Sequence, residues 1–257
     1  MKKLSKALAV AAVAVSAAYM PAASAAPVKL ELALLVDTSG SVNDQEYALQ
    51  KGGYVNAFQS AAIHNLIAGA AGGIAVTYIE WSGGSEQSQR VGWTHLTNAA
   101  ESNAFAAAIS GLVGRPFSGL TAPGSAINFA APLFTNNNFE GGRLVIDVSG
   151  DGAQNDGANT AVARDDALAG IPGTQDAINA INGLPILGEA GLLSFYQNNI
   201  QGGLNSFTLP ANTFAEFGAS VETKIGREIN PTPEPGSLAL AGLALAGVAG
   251  LRRKQRS

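Results

Sequence analysis

The sequence predicts an α/β domain with a doubly wound, mostly parallel sheet, helices on both faces of that sheet and one antiparallel edge strand. Apolar runs over residues 30–36, 74–81 and 144–148 are typical of strands buried on both faces. Longer segments with helical periodicity alternate with these runs, and parallel strands need such crossovers. The chain has 257 residues, of which 47% are hydrophobic, so it is long enough to bury a core of this kind.

The individual elements follow in order between residues 28 and 230, where we place a single domain. In residues 45–68, apolar positions recur at steps of three and four, which indicates a helix face. Pro123 suits the first turn of another helix. The predicted helices span residues 45–68, 99–112, 123–134, 160–181 (with a break near 170–173), 191–199 and 213–225. The additional predicted strands span residues 88–96, at the edge of the sheet, 184–187 and 206–209.

Charge and cysteine content exclude several classes of protein. Residues 28–230 hold eight basic and 18 acidic side chains, a net charge of about −10. A nucleic-acid partner is therefore excluded, because phosphate contacts need clustered Lys and Arg. The chain has no Cys, so it can form neither a disulfide framework nor a thiolate metal site.

Residues 1–25 have the pattern of a secretory signal peptide. Three lysines precede an apolar run, and Ala23-Ser24-Ala25 supplies a small-x-small cleavage site. We expect export through the Sec pathway. The alternative is an uncleaved membrane anchor, for which the apolar run is short.

Residues 231–257 form a second targeting segment. Pro233-Glu234-Pro235 is followed by an uncharged apolar stretch over 237–251 and by the basic end Arg252-Arg253-Lys254-Gln255-Arg256. Taken alone, these features describe a tail anchor. In this order they resemble the PEP-CTERM sorting signal. The resemblance implies transient membrane anchoring through residues 237–251, processing by an exosortase-type enzyme and a destination in the Gram-negative envelope, at the cell surface or released.

Oxygen-bearing side chains follow the predicted strands. Asp37, Ser39 and Ser41 come directly after the first strand, Thr121 lies in a loop before a helix, and Asp151 follows the strand over 144–148. Ligands of open α/β sheets bind beyond the carboxyl ends of the strands. Hard oxygen donors of this kind suit Mg²⁺, with Mn²⁺ or Ca²⁺ as alternatives.

This pattern resembles the von Willebrand factor A-type (vWA) domain and its metal-ion-dependent adhesion site (MIDAS). The family pattern is D-x-S-x-S, then a Thr, then an Asp, and the resemblance spans residues 29–228. It implies that the hydroxyls of Ser39, Ser41 and Thr121 contact the ion and that Asp37 and Asp151 act directly or through water. Segments 78–82, 145–152 and 181–186 resemble a secreted bacterial subfamily of this fold with no assigned function.

The function implied by the resemblance is metal-dependent binding to an acidic group of a protein or polysaccharide, without catalysis. A metal-dependent hydrolase is one alternative, although the sequence offers no obvious general base. A structural envelope protein with a vestigial site is another. For Asp37, Ser39 and Ser41 taken alone, helix capping remains an alternative role.

Overall fold

The computed structural model describes residues 25–231. The signal peptide and the PEP-CTERM tail predicted from the sequence lie outside the described residues, except for their innermost positions. The strands are β1 (Ala26–Val28), β2 (Leu30–Asp37), β3 (Ile74–Trp81), β4 (Gln87–Leu96), β5 (Phe139–Gly141), β6 (Leu144–Gly150), β7 (Ala180–Pro185) and β8 (Gly202–Gly203). The helices are α1 (Asp44–Gln59), α2 (Ala61–Ala68), α3 (Ala99–Ser110), α4 (Pro123–Ala130), α5 (Thr160–Ala169), α6 (Leu192–Phe195) and α7 (Phe217–Ile229).

Six strands form the main sheet in the order β4-β3-β2-β6-β7-β8. The four central strands are parallel, and β4 is antiparallel at one edge, which confirms the predicted fold class. The short β8 adds a second antiparallel edge that the sequence did not predict. Every residue of β2 and β3 is buried, as expected for parallel strands covered on both faces.

Successive residues of β2 alternate between two apolar layers. Leu32 and Leu34 pack with α1, α2, α3 and α7, whereas Ala33 and Leu35 pack with α4, α5 and α6. Because side chains of a strand point to opposite faces in turn, one apolar run supplies both halves of the core.

Several predicted boundaries differ from the observed ones. The helix predicted over 45–68 is divided at Ser60, which ends α1 and caps α2 by accepting from the N–H of Ile63. The helix predicted over 160–181 ends at Ala169, because Gly170 adopts a φ of +64° that a helix cannot continue. The strand predicted over 184–187 is observed as β7, which begins four residues earlier, at Ala180. The strand predicted over 206–209 contributes only an isolated bridge between Thr208 and Gly183. Residues 196–200 form a π-helical turn directly after α6.

The chain enters and leaves the domain at the end of the sheet where β6 begins. Ala26 pairs with Phe139, five residues before β6. The carbonyl of Glu228, near the end of α7, accepts from Arg143 Nη1 at 3.4 Å, one residue before β6. The carboxyl ends of the parallel strands lie at the opposite end. Within residues 25–231, the structure has no helix whose length and apolar character would suffice to span a membrane.

Candidate metal site

The turn after β2 is built around Asp37. This residue ends the strand and is fully buried, and its Oδ1 accepts a 2.7 Å hydrogen bond from the N–H of Ser39. Aspartate commonly closes a tight turn in this way. The N–H and the hydroxyl of Thr38 both donate to the carbonyl of Trp81, at 2.8 and 3.0 Å. The turn is thereby fixed to the end of β3.

The serines of this turn connect it to the loop after β6. Ser39 Oγ lies 3.1 Å from Ser41 Oγ, and Ser41 Oγ donates a 2.6 Å hydrogen bond to Asp151 Oδ1. Ser41 and Asp151 are 110 residues apart in the sequence. They meet because β2 and β6 are parallel neighbours, with Val36 paired to Ser149. Sheet register thus brings four of the five predicted ligands into one group.

Thr121 joins this group from the loop before α4. Its N–H donates to Asn155 Oδ1 at 2.8 Å, and its carbonyl accepts from the N–H groups of Asn155 and Asp156 at 3.0 and 3.2 Å. Its hydroxyl faces the turn that follows Asp151, since a Cβ added to Gly152 would lie 3.4 Å from Thr121 Oγ1. Thr121 is therefore placed beside the Asp151 turn by its backbone rather than by a side-chain hydrogen bond.

Two residues that no sequence motif marks hold this arrangement. Asn155 connects the loops after β6 and before α4, as described above. Arg115 Nη1 donates to the carbonyl of Ser39 at 3.2 Å and also to the carbonyl of Val42. Arg115 thus stabilises the backbone of the turn, although it lies 73 residues after Val42 in the sequence. A polar turn after a strand is the only sequence signal for Asn155, and Arg115 has none.

The carboxyl groups of the site are in an unfavourable electrostatic environment. Burial raises the pKa of Asp37 to about 7. The hydrogen bonds from Ser39 and from the backbone of Asp151 oppose this shift, and the charge of Asp151 adds to it. The pKa of Asp151 is also raised, mainly by burial, and the carboxylates of Glu46 and Glu189 contribute. The charges that raise both pKa values are thus all carboxylates.

The donor set fits a small, hard divalent cation. It offers two carboxylates and three hydroxyls, which are the oxygen ligands that such ions prefer. Asp37 Oδ2 is buried and has no hydrogen-bond partner within the described part of the chain. A buried carboxylate oxygen without a partner is costly unless something else compensates its charge. Within residues 25–231, no three His, Asp or Glu side chains cluster in a way that could hold a metal, so the hydroxyls would be essential.

Two carboxylates of the central strands, Asp147 and Glu80, lie outside this group. Asp147, which precedes the end of β6, contacts Lys224 Nζ at 2.5 Å in the core. Glu80 forms an ion pair with Arg90 and accepts a 2.6 Å hydrogen bond from the hydroxyl of Tyr47. Both carboxylates are thus engaged in buried structural contacts.

A comparison with protein families decides the classification. The family described as "Protein of unknown function (DUF1194)" matches residues 27–233. The chain belongs to the DUF1194 family. The PEP-CTERM protein-sorting motif matches residues 231–254, which implies an exported, envelope-sorted protein that an exosortase processes. No curated protein matches the sequence.

Solved structures place this DUF1194 domain in the vWA-type fold. Proximal thread matrix protein 1 from the mussel byssus superposes with a TM-score of 0.57 at 14% identity, over 79% of this chain and 48% of that protein. Another structure of the same protein, with a zinc-occupied MIDAS motif, gives 0.53 at 14% identity, over 80% and 46%. A mutant of the PilB minor pilin from Streptococcus sanguinis gives 0.54 at 12% identity, over 80% and 64%. The chain therefore spans less than two thirds of each of these proteins.

Proposed function

We propose that this DUF1194 protein is an exported, metal-dependent binding module rather than an enzyme. A divalent cation held by Asp37, Ser39, Ser41, Thr121 and Asp151 would present an open coordination position to an acidic group of a protein or polysaccharide. The observation that carries the proposal is the convergence of these side chains from three loops around a buried carboxylate oxygen without a partner.

Charge supports a dication at this position. Glu46 and Glu189 add their charges to those of Asp37 and Asp151, and the rise in the pKa of the last two is opposed by hydrogen bonds rather than by a nearby cation. A bound dication would offset this repulsion. We propose Mg²⁺, with Mn²⁺ or Ca²⁺ as alternatives, because carboxylates and hydroxyls are hard ligands. The zinc-occupied MIDAS of the mussel byssus protein shows that a neighbour of this fold holds a divalent ion.

Exposure supports access for a partner. Ser41 is exposed and Asp151 is partly exposed, whereas Asp37 and Ser39 are buried beneath them. Leu120, which precedes Thr121, is 56% exposed. A cation at this place would thus be held from below and face solvent, where the carboxylate of a partner could reach it.

The position of the chain ends supports presentation away from the membrane. Ala26 and the end of α7 lie at the end of the sheet opposite the candidate site. We propose export through the Sec pathway into the envelope of a Gram-negative cell and transient anchoring through residues 237–251. The anchored domain would then turn the candidate site outward until an exosortase-type enzyme removes the tail.

The experiment compares the mature wild-type domain with Asp37→Ala. We expect Mg²⁺ and Mn²⁺ to raise the melting temperature of the wild type and calorimetry to register uptake of one ion, and the variant to lose both. Asp166→Ala, an exposed aspartate on α5, is the control and should keep both responses. A wild type that melts alike in chelator and in metal, with no heat of binding, would refute the proposal.

A second measurement addresses the partner. Envelope extract is passed over the immobilised wild type and over Asp37→Ala, each with Mg²⁺ or with chelator. Material retained only by the wild type in Mg²⁺, and released by an acidic competitor such as a polyuronate, supports the proposed chemistry. Retention that is indifferent to chelator would indicate a structural protein whose site is vestigial.

A further inference from the structure

Tyr196 is a buried polar residue that the proposed ligand set does not use. It begins the π-helical turn over residues 196–200 and is fully buried in the apolar layer beneath α4, α5 and α6. Its hydroxyl has no hydrogen-bond partner among the described residues. A buried hydroxyl without a partner is destabilising, and phenylalanine would fill the same apolar layer without that cost. Single π-turns are frequently found at functional sites.

The geometry around Gly150 indicates what the hydroxyl is for. A Cβ added to Gly150 would lie 2.6 Å from Asp37 Oδ2 and 2.9 Å from Tyr196 Oη. The two unpartnered oxygens therefore approach the same side of this glycine. Gly183 makes room for the ring, because a Cβ there would lie 2.7 Å from Tyr196 Cδ1. Side chains larger than glycine at either position would separate the tyrosine from the aspartate.

The charges around Tyr196 determine that its hydroxyl is a donor. Burial raises the pKa of Tyr196 well above its ordinary value, and the carboxylates of Asp37, Asp151 and Asp147 raise it further. The phenol thus keeps its proton at neutral pH, and Asp37 Oδ2 is the acceptor that approaches the same glycine.

We propose that Tyr196 is a positioning residue for Asp37. Its hydroxyl donates to Asp37 Oδ2 through one bridging water, since the two atoms form no direct hydrogen bond in the structure, and so orients the ionised carboxylate toward the cation. This inference rests on the proposed function, because it assigns Tyr196 a role in the same site without making it a ligand. Groups that orient metal ligands in this way typically change metal affinity by about 10–100-fold when they are removed.

The first test is the affinity of Tyr196→Phe for Mn²⁺, measured by calorimetry. Tyr78→Phe is the matched control, since Tyr78 is also fully buried with an unpartnered hydroxyl but lies beside Glu80 instead of the site. We expect Tyr196→Phe to weaken Mn²⁺ binding roughly ten-fold and Tyr78→Phe to leave it unchanged. Unchanged affinity in folded Tyr196→Phe, or an equal loss in both variants, would overturn the inference.

The second test needs no metal and separates this inference from the proposed function. Melting temperatures in chelator are compared for the wild type, Tyr196→Phe, Asp37→Asn and the double variant. If the hydroxyl donates toward Asp37, the two single shifts will not add. Tyr196→Phe removes the donor, and Asp37→Asn removes the acceptor, because the carbonyl oxygen of the new amide stays with the N–H of Ser39. Additive shifts would overturn the inference even if the wild type binds Mn²⁺. Non-additive shifts in a protein that takes up no Mn²⁺ would support the contact and refute only the metal-binding function.

Discussion

Lys224 lies in the core between two carboxylates, and its replacement should be strongly destabilising. Its Nζ is 2.5 Å from Asp147 Oδ1 on β6 and 2.6 Å from Glu228 Oε1, one turn later on α7. All three side chains are buried. Asn182 Nδ2 also donates to Glu228 Oε1, at 2.9 Å. Lys224→Met would keep the packing of the alkyl chain and leave two carboxylates without their cation.

The expected loss follows from the cost of an unpaired buried charge. Breaking a buried ion pair on one side typically costs about 3–5 kcal/mol. For a domain of this size each kcal/mol lowers the melting temperature by about 2–4 °C. We therefore expect Lys224→Met to melt roughly 10 °C below the wild type at pH 8, measured by circular dichroism in chelator. The triple variant with Asp147→Asn and Glu228→Gln should recover most of this loss, since it removes the charges together.

The loss should also depend on pH. Burial raises the pKa of Asp147 to about 7, with Glu228 adding to the shift and Lys224 opposing it. Because this folded-state pKa lies above the unfolded value, the folded protein holds a proton that the unfolded chain has released, and stability decreases as the pH rises through 7. Without Lys224 the pKa should rise further. The variant should therefore lose less stability at pH 5, where Asp147 is protonated, than at pH 8.

Two results would refute this reasoning. One is a decrease in the melting temperature at pH 8 of less than about 3 °C. A decrease that small would be expected if Lys224 contributed no more stability than a surface ion pair does. The other is an equal loss at pH 5 and pH 8, which would mean that Asp147 does not change protonation between these two pH values. Lys51→Met is the control, because Lys51 is half-buried and its Nζ donates only to the carbonyl of Leu112 in the described part of the chain.

Four further variants are expected to have effects of defined sign. Asp37→Asn should raise the melting temperature in chelator at pH 8 but not at pH 5. Burial raises the folded-state pKa of Asp37 to about 7, so the metal-free wild type loses stability as the pH rises through that value, whereas asparagine carries no charge. Gly52→Ala should stabilise α1 by about 0.5–1 kcal/mol in urea denaturation, since a Cβ there meets nothing within 4 Å. Gly53→Ala should instead destabilise by about 1–3 kcal/mol, because its Cβ would lie 2.8 Å from Phe217 Cδ1. Gly150→Ala should lower Mn²⁺ affinity as well as stability, because its Cβ would displace the carboxylate of Asp37.

Each of these variants has a control or a contradicting result. Asp166→Asn, on the exposed face of α5, should change the melting temperature at neither pH. Equal changes in the free energy of unfolding for Gly52→Ala and Gly53→Ala would contradict the packing of α1 against Phe217. Gly188→Ala is the control for Gly150→Ala, because a Cβ at Gly188 has open space. Full Mn²⁺ affinity in Gly150→Ala would show that Asp37 is not constrained at this point.

The central strands could be predicted from the sequence, whereas the bounds of β7 could not, since the strand predicted over 184–187 runs over Ala180–Pro185. Parallel strands covered by helices have no solvent-facing side, so β2 and β3 must be almost entirely apolar, and that composition is visible in the sequence. β7 contains Asn182, Gly183 and Pro185, residues that are uncommon in strands. It forms a strand because it pairs with β6 and because Gly183 accommodates the ring of Tyr196.

Local composition and spacing were enough to predict the order of the central strands and their helices, the two targeting segments and the candidate oxygen ligands, because these features are encoded along the chain. The folded arrangement was needed to show that Ser41 reaches Asp151, that Asn155 and Arg115 hold the loops, and that Tyr196 and Asp37 approach the same side of Gly150. These contacts join residues many positions apart, and they depend on strand register and on the space that two glycines leave. No local pattern of residues carries that information.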